Sequence, residues 1–168
     1  MQFPTFLAGQ TLTAALLNSI PPVLKYKAAG TDRATATLSD DPDLTFAVEA
    51  NAVYEMRGVL RVNTTDATNG DFNLSWTVPS GAQGLWSGIG QPATATATDG
   101  TVRTMGSTIS ASRAYGAIIS GGNELAIVVH SLLVTSSAGT YAVNWARSGS
   151  AGTVSLMAFS YLTLTRVG

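Results

Sequence analysis

Short segments in which apolar and polar residues alternate run through most of this chain of 168 residues. The clearest is VYEMRGVLRVN, from Val53 to Asn63. Its two sides consist of Tyr54, Met56, Leu60 and Val62, and of Glu55, Arg57 and Arg61. A period of two with one apolar side is typical of a half-buried strand in an antiparallel sheet. This pattern favours a β fold with an antiparallel sheet.

The remaining segments predict several more short strands separated by turns. A first strand is expected from Arg33 to Leu38, SDDPD reads as a turn, and LTFAV follows it as a strand. FNLSWTV follows the turn signal Asn69-Gly70, so it is expected to pair with the preceding strand as a hairpin. GTYAVNWARSG and GTVSLMAFSYLTLTRV add further strands near the end of the chain. The fold class predicted is all-β, an antiparallel β-sandwich of jelly-roll type.

One segment, NELAIVVHSLLV, is apolar on both sides. Such a strand is covered on both faces, either inside a sandwich or where subunits meet. Only 11% of residues are charged, which is low for a monomer in water. We therefore expect a homo-oligomer, specifically a trimer, with Val128, His130 and Leu132 at the interface.

The N-terminal segment FLAGQTLTAALLN is the one stretch with helical spacing, and Pro21 and Pro22 end it. A helix this short is marginal in water by itself, so it must dock onto something. We expect residues 1–22 to be an anchoring arm and residues 23–168 to be the β-sandwich domain. The apolar residues expected to bind a partner are Phe3, Phe6, Leu12, Leu16 and Ile20.

The residues that could carry chemistry are few. The chain has no Cys, its single histidine is His130, and no G-x-S-x-G motif is present. We expect no catalytic site, no cofactor and no metal, although the Asp40 to Asp43 turn leaves calcium open. Trp86 lies among glycines and is a candidate exposed contact for a ligand or partner.

Charge and hydropathy exclude two partner classes. The net charge is −1 and the nine Lys and Arg residues are scattered, so no nucleic-acid footprint is present. No apolar run approaches the length of a membrane span, and no signal peptide is recognised at the N-terminus. Neither nucleic acid nor a membrane is expected as a partner.

Four segments together resemble a family of small virion structural proteins encoded by tailed phages and prophages of actinobacteria. They are FPTFLAGQTLTAALLNSIPP, TDRATATLSDDPDLTFAVEANAVYEMRGVLRVN, SWTVPSGAQGLWSGIG and GTYAVNWARSGSAGTVSLMAFSYLTLTRV. The resemblance implies a location in the virion, after assembly in the host cytoplasm. The short chain, which shows no shaft, repeats, coiled coil or clear sugar-binding cluster, favours a capsid decoration or cementing protein whose arm binds the major capsid protein or other virion subunits. The alternative is a minor tail or fibre protein whose Trp86 region contacts a host-surface glycan.

Overall fold

The structure is a computed structural model. It describes Gly9, Thr11 and Thr13 together with residues 22–66, 70–93, 102–117 and 124–168. Within those residues every regular element is a β-strand, and all strand pairs are antiparallel. The all-β antiparallel class predicted from the alternation is confirmed, while jelly-roll connectivity stays a prediction.

The described residues form twelve strands. In chain order they are β1 (Val23–Tyr26), β2 (Thr31–Arg33), β3 (Ser39–Val48), β4 (Ala52–Thr64), β5 (Phe72–Thr77), β6 (Gln83–Gly90), β7 (Arg103–Thr108), β8 (Arg113–Tyr115), β9 (Leu125–Thr135), β10 (Gly139–Arg147), β11 (Val154–Leu156) and β12 (Tyr161–Arg166).

These strands form two sheets. In the larger, β1, β12, β4, β9, β6 and β7 lie side by side in that order, β11 also pairs with β4, and β2 pairs with β11. The smaller sheet has the order β3, β10, β5, β8. The two longest strands, β4 and β9, pair from Ala52 opposite Thr135 to Val62 opposite Leu125 and form the centre of the larger sheet.

The core lies between the two sheets. Trp86 of β6 packs edge-on against Trp76 of β5, with ring centroids 5.9 Å apart. A hydrogen bond of 2.6 Å joins Ser131 of β9 to Tyr141 of β10 across the same space. Because apolar side chains of both sheets are buried against one another, the architecture is a two-layer β-sandwich.

The predicted hairpin of the fourth and fifth strands is wrong. β4 pairs with β9, β11 and β12 in the larger sheet, whereas β5 pairs with β8 and β10 in the smaller one. The chain between them crosses from one sheet to the other. Alternation correctly identified the buried sides of both strands, but a period of two specifies a face and not a partner.

Two predictions for residues 33–43 also need correction. Of the strand expected from Arg33 to Leu38, only Arg33 belongs to a strand, β2. The SDDPD segment, expected as a turn, is the beginning of β3. Asp41 points into the interior there, and the ammonium group of Lys27 compensates its charge, so the acidic sequence does not end the strand.

The predicted arm lies largely outside the described residues. Its proposed contact residues, Phe3, Phe6, Leu12, Leu16 and Ile20, are all in the part that the structure leaves undescribed. The helix and the domain boundary at residue 22 therefore stay predictions. In the part of the chain that is described, no helix is long and apolar enough to cross a bilayer.

Candidate interaction surface

Strand β9 has one buried side and one exposed apolar side. Ile127, Val129 and Leu133 point into the core and are buried. Val128 and Leu132 point the opposite way, and each is 47% exposed. The sequence predicted two apolar sides for this strand, and within the single chain one of them remains uncovered.

Neighbouring strands extend this apolar side across the larger sheet. The side of that sheet that points away from the smaller sheet is called the outer face below. In one row across it, the residues opposite one another are Tyr26, Tyr161, Val59, Val128 and Ile89. The exposed large apolar residues on the outer face are Leu24, Tyr26, Leu85, Ile89, Val128, Leu132, Val134 and Tyr161. They come from four strands, β1, β12, β9 and β6, and the less exposed β4 lies between β12 and β9.

A charged cluster of Glu55, Arg57 and His130 lies within the outer face. Arg57 Nε lies 2.9 Å from Glu55 Oε1, and His130 Nε2 lies 3.0 Å from the same oxygen. Hydrogen bonds from Arg57, the larger effect, and from His130 hold the pKa of the Glu55 carboxyl below its ordinary value. The cluster therefore presents both signs of charge at one place.

His130 is not a core residue. Its side chain is 53% exposed, and it projects from the outer face between Val128 and Leu132. The surface beside it forms an open depression of about 650 Å³, lined among others by Arg57, Tyr161 and Thr163. The three residues predicted at an oligomer interface thus share one exposed surface, and their contact with a partner stays a prediction.

The opposite side of the molecule has a different character. On the outside of the smaller sheet, Asn144 Nδ2 donates to Asp40 Oδ1 and to Thr77 Oγ1, each at 2.9 Å. Among the described residues, none of the exposed large apolar side chains lies on β3, β5, β8 or β10. The sandwich therefore has one polar and one apolar outer surface.

Trp86 is not at the surface, contrary to its prediction as an exposed contact. It is 2% exposed, and its Nε1 donates to the carbonyl oxygen of Ala111 at 3.1 Å. Gly88, two residues along the same side of β6, leaves the space that the ring of Tyr115 fills. The glycines around Trp86 thus make room for aromatic packing, and their period-two spacing was the signal that could have shown this.

A serine does lie beside the histidine, although the sequence showed no nucleophile motif. Ser87 of β6 is directly opposite His130 of β9, and Glu55 bonds the histidine. In the described part of the chain, no hydrogen bond joins Ser87 to His130. Ser87 and His130 are therefore cross-strand neighbours on the outer face, and the described residues form no hydrogen-bonded serine–histidine pair there.

The acidic segment left open for calcium binds a side chain instead. Lys27 Nζ donates to Asp41 Oδ2 and to Asp43 Oδ2, each at 2.9 Å. The ammonium group thus occupies the position between these carboxylates where a cation would bind. Among the described residues, no group of three or more His, Cys, Asp and Glu side chains could hold a metal ion.

Comparison with known proteins gives only distant similarity. No protein-family model and no curated protein matches the chain. The tripod (BppUct-A-L) from the baseplate of bacteriophage Tuc2009 overlaps 99% of this chain and 75% of its own, with 10% identity and a TM-score of 0.36.

Two structures of infectious bursal disease virus overlap less of their own chains. The Gt strain structure gives 12% identity and a TM-score of 0.23, over 87% of this chain and 42% of that one. The VP2 subviral particle gives 7% identity and a TM-score of 0.24, over 87% of this chain and 40% of the VP2 chain. This chain spans less than half of either, and overlaps at such TM-scores carry no argument about function.

Proposed function

We propose that this chain is a non-enzymatic structural subunit of a phage particle that assembles with copies of itself through the outer face. The apolar outer face is the observation that carries this proposal. Monomeric proteins rarely expose a continuous apolar patch of more than a few hundred Å². Each Å² of apolar surface removed from water contributes about 25 cal/mol, so covering this face favours association.

A second copy of the chain is the proposed occupant because the charged cluster is self-complementary. Glu55 and Arg57 place a negative and a positive group side by side within the apolar surface. An identical surface can therefore meet each charge with its opposite, while the surrounding apolar residues exclude water. We propose a trimer as the assembled state, in which the outer faces of three copies point toward a common threefold axis and each charged cluster lies beside the opposite charges of the next copy.

The more detailed proposal is a capsid decoration protein. The resemblance of four sequence segments to small virion proteins supports a place in the particle, and the apolar arm supports attachment to the shell. A single sandwich with one apolar side can associate with its copies through that side and direct its polar side to solvent. The arm would then bind the major capsid protein or another virion subunit.

A minor tail or fibre protein is the second candidate, and the depression beside His130 is the observation that favours it. Tyr161, Arg57 and Thr163 combine an aromatic ring with polar groups, which is the chemistry of a sugar site. Trp86 was the aromatic residue first expected to stack on a host-surface glycan, and its burial removes that contribution.

Two measurements on the purified full-length chain separate these functions. Light scattering across micromolar concentrations should give a trimer, and a monodisperse monomer would contradict self-association. Density maps of particles with and without the chain should place it on the head shell. Density at the tail, together with binding to host-surface glycans, would replace the decoration proposal with the tail proposal.

A further inference from the structure

Lys27 and Asp41 form a buried pair at the junction of the two sheets. Both side chains are 0% exposed. Lys27 follows β1 of the larger sheet, and Asp41 lies in β3 of the smaller one. Burial of a lysine and a carboxylate away from water carries a large desolvation cost, which excellent geometry must offset. A fully buried lysine and aspartate in contact are therefore unusual, and the contacts around them show what the two groups can do.

The surrounding contacts hold the two groups in place. The backbone N–H of Lys27 donates to Ser160, and its carbonyl accepts from Phe159, each at 2.8 Å. The carbonyl oxygen of Asp41 accepts from Thr45 Oγ1 at 2.6 Å. Both residues are thus fixed at the backbone, so the two side chains meet with little conformational freedom left.

The amine lies within attack distance of the carboxyl carbon. Lys27 Nζ is 3.1 Å from Asp41 Oδ1 and 2.9 Å from Oδ2. Because Cγ lies between these two oxygens, it can be no more than about 3.5 Å from Nζ, the separation of a near-attack arrangement.

Neighbouring groups donate hydrogen bonds to the Asp41 carboxylate and could stabilise an oxyanion that forms on it. Its Oδ1 accepts from the backbone N–H groups of Asp43 at 3.1 Å and Leu44 at 3.2 Å. Its Oδ2 accepts from Trp145 Nε1 at 3.2 Å. Two fixed N–H groups on one oxygen stabilise the negative charge that forms there when the carbonyl carbon is attacked. The other oxygen is then the leaving group.

A second carboxylate touches the same nitrogen. Asp43 Oδ2 is 2.9 Å from Lys27 Nζ, and the Asp43 side chain is 45% exposed. An amine attacks only after it has lost a proton, and a carboxylate at hydrogen-bond distance can accept that proton. Its partial exposure gives the released water a way out of the interior.

We propose that Lys27 and Asp41 react to form an intramolecular isopeptide bond, with Asp43 as the carboxylate that moves the protons. The Nζ lone pair forms the bond to Cγ, and the bond from Cγ to Oδ2 breaks. Of the three ammonium protons, one remains on the amide and two leave on Oδ2 as water, by way of Asp43. Two buried charges are thereby replaced by one neutral amide.

This bond would join the two sheets beside the start of the sandwich. β1 is a short exposed edge strand, and the predicted anchoring arm precedes it directly. A force applied to that arm would reach β1 first, and among the described residues β1 pairs with β12 alone within the larger sheet. A covalent link from Lys27 to β3 would carry the load into the smaller sheet.

The test is the intact mass of the folded, purified full-length protein. The wild type should weigh about 18 Da less than its sequence, the mass of one water. Lys27→Arg should show no such deficit. Trypsin should release a branched peptide that joins the segment beginning at Tyr26 to the segment beginning at Ala34. A wild-type protein of full sequence mass overturns the proposal, as does a deficit that maps to one linear peptide.

The role of Asp43 is tested with a matched pair of variants. Asp43→Asn should fold and keep the full sequence mass. Asp40→Asn should retain the deficit, because the Asp40 carboxylate bonds Thr77 and Asn144. A deficit that persists in Asp43→Asn overturns the assignment of Asp43. If Asp43→Asn fails to fold, the wild-type mass and the branched peptide decide the proposal.

Discussion

At the scale of single residues, the aromatic cluster of the core depends on one glycine. A Cβ added at Gly88 would lie 2.1 Å from Tyr115 Oη and 3.2 Å from Trp86 Cζ3. Both rings are buried and cannot swing aside into solvent. Because position 88 has no side chain, the rings of Trp86 and Tyr115 can pack together, and Trp76 packs against Trp86 beside them.

Replacing this glycine by alanine should destabilise the fold. Overpacking a well-filled core typically costs about 1–3 kcal/mol, and we expect Gly88→Ala to lower the free energy of unfolding by that amount. Gly106→Ala is the matched control, because a Cβ at Gly106 meets nothing within 4 Å. Urea denaturation of both variants checks the prediction, and equal stability of the two would contradict it.

Tyr141 couples stability to pH. Burial raises the pKa of its phenol above the ordinary value of 10.0, so the folded protein keeps it neutral where the unfolded chain ionises. The stability that the neutral phenol contributes is present in full below the pKa of the unfolded chain. It is lost as the pH rises above that pKa. Unfolding free energies measured from about pH 8 to pH 11 should therefore fall more steeply for the wild type than for Tyr141→Phe. Parallel curves would show that Tyr141 is not the group responsible.

At the scale of elements, β9 has two apolar sides in two different environments. The side with Ile127, Val129 and Leu133 belongs to the core, and the side with Val128 and Leu132 belongs to the outer face. Substitutions on the first side should act on folding, whereas substitutions on the second should act on association. The strand is therefore the place to separate the two effects.

A charge introduced at Val128 should reduce association without unfolding the chain. The side chain is 47% exposed, so Val128→Asp buries no new charge in the monomer but places one in the proposed interface. We expect a shift from trimer to monomer in light scattering, with the circular dichroism spectrum unchanged. Ala47→Asp, at an exposed position of β3 on the polar side, should leave the trimer intact. A Val128→Asp trimer as stable as the wild type would place the interface elsewhere.

At the scale of the whole molecule, the sandwich has distinct polar and apolar outer surfaces. This asymmetry suits a subunit that meets its copies on one side, and it leaves attachment to the particle to another part of the chain. The predicted arm, with Phe3, Phe6 and Leu12 among its apolar residues, is the segment assigned to that task. The two contributions can be tested separately by removing the arm.

A chain that begins at Val23 should keep its melting temperature and lose its attachment to particles. If residues 1–22 instead filled part of the core, their removal would destabilise the sandwich by several kcal/mol, because deleting buried large side chains costs about 2–5 kcal/mol each. Thermal unfolding and binding to particles that lack the protein measure the two effects. Wild-type occupancy by the truncated chain would show that the arm is not the anchor.

The sequence by itself determined the fold class and the buried side of several strands, among them β4, β5 and β10. The alternation in β4 identified Tyr54, Met56, Leu60 and Val62 as buried, and the alternation in β10 did the same for its aromatic residues. These assignments depend only on local periodicity, because successive side chains of a strand point to opposite sides whatever the strand pairs with. The same property marked β9 as apolar on both sides.

Only the tertiary structure decided which strands are neighbours and which side chains meet across the core. The partition of β4 and β5 into different sheets, the burial of Trp86 against Tyr115, and the contact of Lys27 with Asp41 all depend on it. Each joins segments whose separation along the chain carries no local signal. Their proximity is set by the way the two sheets pack as a whole, where the burial of apolar surface outweighs the local preference of a segment such as SDDPD for a turn.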